Sequence, residues 1–76
     1  MMTIGKDVPI LIDNEILSGV PVFTGTRVPV SALLENLEAG VSLDEFLDNF
    51  PTVTRETAVR VLAHFRASLN DISLGP

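Results

Sequence analysis

VSALLENLEAGVSLDEFLDNFP, residues 30 to 51, carries the clearest structural signal in the chain. Val30, Leu33, Leu34, Leu37 and Val41 recur at the i, i+3, i+4, i+7 spacing that lines one face of an α-helix. Gly40 stands just past the end of that helix, where a left-handed backbone lets the last carbonyls find partners. Ser42-Leu43-Asp44-Glu45 then has the form of a capping box. The serine hydroxyl takes the amide three residues on, and Glu45 reaches back to the Ser42 amide. Leu43, Phe46, Leu47 and Phe50 form the apolar stripe of a second helix, which Pro51 terminates.

Reading toward the C-terminus, Thr54 is the N-cap of a third and longest helix, with its stripe at Ala58, Val61, Leu62, Phe65 and Leu69. Residues 70–76 show no periodicity and read as a flexible tail. Toward the N-terminus the signals change to strand and turn. Ile10-Leu11-Ile12 is a short β-branched run closed by Asp13-Asn14, and Ser18-Gly19 marks the next turn. Val20 to Phe23 and Arg27-Val28 flank Thr24-Gly25-Thr26 as a small hairpin. Pro21 and Pro29 confine these strands to edges or to very short lengths, because proline gives the ladder no donor. The expected architecture is a single domain over 1–76, mostly α. Short strands and turns over 8–29 precede a trihelical helix-turn-helix unit over 30–69.

Seventy-six residues without a cysteine exclude a disulfide framework, a thiolate zinc site and a cysteine nucleophile. One histidine cannot supply a transition-metal site that needs three or four ligands. Hydrophobic residues make up 46% and charged residues only 20% of the chain, and the mean hydropathy is +0.39. A body this small cannot enclose that much apolar surface alone, so a homodimer or another protein interface is expected. The net charge is −5, unevenly spread. Up to Phe50, Lys6 and Arg27 face eight acids; from Pro51 on, Arg55, Arg60 and Arg66 face Glu56 and Asp71. No apolar run approaches the ~18 residues that cross a bilayer, and the start lacks the charged-then-apolar order of a signal peptide. A cytoplasmic protein is expected, with no membrane and no small-molecule substrate.

The run from Ser18 to Val30 is distinctive, and it is followed by Leu33-Leu34, Leu37, Ala39-Gly40, Phe46-Leu47, Phe50-Pro51 and Thr54. Over about Ile10 to Phe65 this resembles domain-of-unknown-function family 433. Gly19, Pro21, Gly25, Thr26 and Arg27 stand in its motif positions. The resemblance implies a homeodomain-like prokaryotic protein, often the antitoxin partner of a PIN-like ribonuclease toxin. Ser18 departs from the pattern, since a second glycine is common there, and Thr54-Arg55-Glu56-Thr57 opens the last helix where a more acidic run is usual.

Each candidate residue has a plain structural reading beside its functional one. Gly25-Thr26-Arg27 leads into a strand and a proline, so it is no phosphate cradle, which needs several glycines entering a helix. It reads as a turn in which Arg27 staples local carbonyls or pairs with Asp13 or Glu15. Arg55, Thr57 and Arg60, with His64 one turn on, lie off the apolar stripe of the third helix. They are the candidate DNA-binding residues, placed where a recognition helix meets base edges. The alternative is a solvated helix face. Glu35, Glu38, Asp44, Glu45 and Asp48 read as solvated or dipole-favoured acids rather than a metal site. They form a negative surface that a basic partner would favour. No residue set supplies nucleophile, base and oxyanion donors, so no enzyme and no cofactor are expected. The leading expectation is an antitoxin-like protein that binds a PIN-like toxin and operator DNA. Its rivals are a stand-alone DNA-binding regulator and a dimerisation module without DNA.

Overall fold

The computed structural model of the chain describes residues 1–5 and 7–72. Three antiparallel strands come first: β1 (Met2–Gly5), β2 (Val8–Ile12) and β3 (Val22–Phe23). Three helices follow: α1 (Val30–Glu38), α2 (Leu43–Asn49) and α3 (Arg55–Asp71). The sheet order is β1-β2-β3. Thr3 pairs with Leu11, and Gly5 with Val8 after a bulge; Ile10 pairs with Phe23.

The helix boundaries follow from their caps. Past α1, Gly40 sits at φ +86°, its amide bonds the Leu37 carbonyl at 3.0 Å, and the Val41 amide bonds the Asn36 carbonyl at 2.9 Å. This pair of bonds is the Schellman motif, which satisfies two otherwise orphaned carbonyls. Ser42 Oγ accepts the Glu45 amide at 3.1 Å and opens α2; the expected return bond from the Glu45 carboxylate is not made. Thr54 Oγ1 accepts the Thr57 amide at 3.1 Å and opens α3.

The Gly25 turn also forms. The Thr26 amide bonds the Phe23 carbonyl at 3.0 Å with Gly25 at φ +80°, the arrangement of a type II turn, whose third position only glycine occupies at little cost. The expected second arm at Arg27-Val28 is no strand, however. It contributes the Phe23 N–H to Val28 carbonyl bond at 3.0 Å and an isolated bridge between Val22 and Pro29. Pro29, unable to donate, then caps α1.

Ile10, Phe23, Val30, Leu33, Phe46, Val53, Ala58 and Val61 form one buried core. Phe46 is its centre, with ring centroids 6.4 Å from Phe23 and 4.8 Å from Phe50. The sheet ties to the helices because α3 packs on β2 and the Val30 amide bonds the Pro21 carbonyl at 2.9 Å.

Three expectations need correcting. The sheet is larger than expected: β1, which lacks any periodic signal in sequence, pairs with β2 to give three strands beside three helices that take up roughly half of the chain. The tail expected over 70–76 starts later, because Asn70 and Asp71 are the last residues of α3; residues 73–76 lie outside the described residues. And the apolar stripe of α3 outruns the core, with Ala58 and Val61 buried but Leu69 64% exposed.

Candidate protein-binding groove

Where β1, the loop before β3, α1 and α3 meet, the surface opens into an apolar groove of about 400 Å³. Its floor is Ile10 and Val30, both buried in the core. Its walls are Ile4 of β1, Val20 and Pro21 of the loop, Leu34 of α1 and Phe65 of α3. Ser31 and His64 supply the polar side chains, and no carboxylate or arginine lines it. The local sequence explains the opening. Leu34 sits on the edge of the α1 stripe that Leu33 carries into the core, so it stays 38% exposed. Ile4 and Val20 are 43% and 42% exposed on the opposite wall. Leu69, one turn beyond Phe65 on α3, and Ile72, the residue that caps its end, are 64% and 74% exposed, so apolar surface continues past the groove.

The residues singled out for DNA contact lie on one helix but have different surroundings. Arg55 reaches back to form an ion pair with Asp44 of α2. Arg60 Nη2 pairs with Glu56 Oε1 at 3.1 Å and borders a separate depression beside Thr3, Val8 and Thr24. The Thr57 hydroxyl bonds that of Thr54 at 2.9 Å, within the cap. His64 is not solvent-directed as its spacing predicts. It is half-buried in the groove wall, its ring 5.7 Å from that of Phe65. The sheet accounts for this: α3 packs on β2, and Ile10 of β2 and Ile4 of β1 line the same groove as His64.

The glycine-threonine-arginine motif divides differently from its sequence reading. Thr26 is the staple. Its hydroxyl donates to the Phe23 carbonyl at 2.8 Å and accepts the Val28 amide at 3.0 Å. Arg27 is exposed and, among the described residues, makes no ion pair or side-chain hydrogen bond. Asp13, one of its expected partners, instead accepts the Glu15 amide at 2.9 Å in its own turn. Gly19 and Pro21 frame the loop that carries Val20 into the groove wall. Among the described residues, no three acidic or histidine side chains gather as a metal would require, and no helix is long and apolar enough to cross a membrane.

The groove itself was missed in sequence because Ile4 belongs to an unread strand and Val20 to a loop. Leu34 and Phe65 carried a helical signal that read as core, and Val20 was expected in a strand that begins only at Val22.

The fold is shared with a solved structure. A DUF433 member protein from Anabaena variabilis superposes with a TM-score of 0.68 at 26% identity, over 87% of this chain. The match takes in 65% of the other chain, so this one spans just under two thirds of that protein's length. No protein of curated function matches the sequence. The family model described as "Protein of unknown function (DUF433)" matches residues 10–64, which include the Gly25 turn, α1, α2 and α3 as far as the groove. By that match the chain belongs to the DUF433 family.

Proposed function

We propose that the protein is a non-enzymatic, antitoxin-like binding module that works as a homodimer and neutralises a PIN-like ribonuclease by seating it on the groove and the apolar strip beyond it. The observation that carries this reading is the groove: about 400 Å³ of open space bounded almost wholly by aliphatic and aromatic side chains on a 76-residue body. Exposed apolar surface of this kind marks an interaction site more often than a reaction site. Ser31 and His64 are not hydrogen-bonded to each other, and no carboxylate on the wall orients the imidazole, so the pair lacks the parts of a nucleophile and its base. The ribonuclease as partner comes from the family resemblance. The exposed acids Glu35, Glu38, Glu45 and Asp48 add to it, since an RNA-cleaving enzyme carries basic surface that a negative protein would approach quickly.

The test is inhibition of RNA cleavage by a PIN-like ribonuclease encoded beside this chain. Stoichiometric wild-type protein should abolish cleavage. Leu34→Glu, which places a carboxylate on the groove wall, should restore it while the thermal melt stays put. Full inhibition by the Leu34→Glu protein would overturn the reading.

Operator binding by α3 is a further part of the proposal, supported by three exposed arginines and by the five-residue connection between α2 and α3. Arg55 and Arg60 would have to leave Asp44 and Glu56 to reach phosphates. A salt-dependent gel shift lost in Arg60→Ala would establish it, and no shift at low salt would remove it.

A further inference from the structure

We infer that the outer edge of β1 is the homodimer seam: β1 of a second copy pairs antiparallel with it around a two-fold axis at Thr3, joining the two sheets into one of six strands. The inference names the surface behind the homodimer part of the reading above and is independent of the ribonuclease.

Among the described residues, the sheet order β1-β2-β3 leaves β1 bonded on one side only. A strand edge with open N–H and C=O groups is a template for another strand. Proteins that keep such edges unpaired place lysine, proline or an inward charge on them, and Met2–Gly5 has none of these; its bulge lies in the pairing with β2. Met2 and Ile4, two residues apart, project from the same face of β1. They are 57% and 43% exposed, and Ile4 lines the groove. Pairing about Thr3 sets Met2 of each copy opposite Ile4 of the other, so the four side chains meet over the Ile4 end of the groove. Methionine, unbranched and flexible, suits such an irregular gap. Leu34 and Ile72 stay uncovered for a different protein.

Two further observations bear on a second copy in this place. The first is area. A closed monomer of 8.2 kDa exposes roughly 4,500 Å², whereas this chain exposes 5288 Å². The difference, roughly 750 Å², is surface left for the seam and the groove together to bury. The second is charge. Two copies at −5 each repel, so they meet most readily where carboxylates are absent, and neither Met2–Gly5 nor the groove lining contains one.

The experiment uses the purified full chain. Light scattering from about 1 to 100 µM should give twice 8.2 kDa, with association strengthened by salt that screens the like charges. Ile4→Glu, at a position already exposed to water, should weaken association roughly tenfold or more, because a carboxylate would have to be stripped of water against the facing strand. Because the chain has no cysteine, a single one reports proximity. Thr3→Cys should form a disulfide-linked dimer under mild oxidation, since directly opposed residues of antiparallel strands lie within disulfide reach, and Asp48→Cys on α2 should not. A monomer throughout the range, a dimer indifferent to Ile4→Glu, or Thr3→Cys cross-linking no faster than Asp48→Cys overturns the inference. If ribonuclease inhibition persists in any of these cases, the partner reading survives without it.

Discussion

Thr26→Val separates the roles of Thr26 and Arg27 in the turn motif. Valine matches threonine in shape and removes only the hydroxyl. That hydroxyl bridges the Phe23 carbonyl at 2.8 Å and the Val28 amide at 3.0 Å. The carbonyl keeps its bond from the Thr26 amide at 3.0 Å, whereas the half-buried Val28 amide is left without a partner. An orphaned donor costs about 1–3 kcal/mol, and partial exposure places this one near the lower end, about 1–2 kcal/mol. In a domain of this size each kcal/mol moves Tm by about 4–8 °C, so Thr26→Val should melt about 10 °C earlier. Thr26→Ser, which keeps the hydroxyl, should lose much less. Arg27→Ala should stay within about 0.5 kcal/mol, as expected for an exposed side chain that has no partner among the described residues. Far-ultraviolet circular dichroism is the assay of choice, because the chain has no tryptophan or tyrosine to report by fluorescence. If Arg27→Ala destabilises as much as Thr26→Val, the division of the motif into staple and free cation is wrong.

Gly25→Ala should cost about 1–2 kcal/mol in a chemical denaturation series, purely from the backbone at φ +80°, because an added Cβ meets nothing within 4 Å. Phe46→Ala, at the fully buried centre of the core, should cost about 3–5 kcal/mol. A total stability of about 4–11 kcal/mol follows from the usual range per residue, so its melt should start near ambient temperature, and an unchanged melt would contradict the core assignment. Asp44→Asn breaks an ion pair whose side chains are 60% and 75% exposed. It should change stability by less than about 1 kcal/mol, with the difference vanishing in high salt.

How much of this was legible in the sequence depended on whether a signal was local. The three helices were, because spacing and cap chemistry act within one or two turns. Gly40, Ser42 and Thr54 do in the structure what their side chains and φ preferences dictate. The Gly25 turn was legible for the same reason. β1 was not, since Met-Thr-Ile-Gly is too short for a period and its strand character comes from pairing with residues three to ten positions away. That one omission propagated. Without β1, His64 reads as solvent-facing beside Arg60; with it, the two residues border different depressions. Arg27 was misjudged because guanidinium chemistry names a class of partner but not whether the backbone brings one within reach. Ser18 is the reverse case. Glycine is common at its motif position, and here serine takes a left-handed φ of 57°, a conformation glycine adopts at little cost.

Amide chemical-shift mapping of the labelled chain on addition of the PIN-like ribonuclease addresses the groove most directly. The largest changes should fall on Val20, Leu34, His64, Phe65 and Ile72, with Arg27, Arg55 and Arg60 nearly still. Changes concentrated at the start of α3 or around Arg27, with Leu34 and Phe65 unmoved, would contradict it.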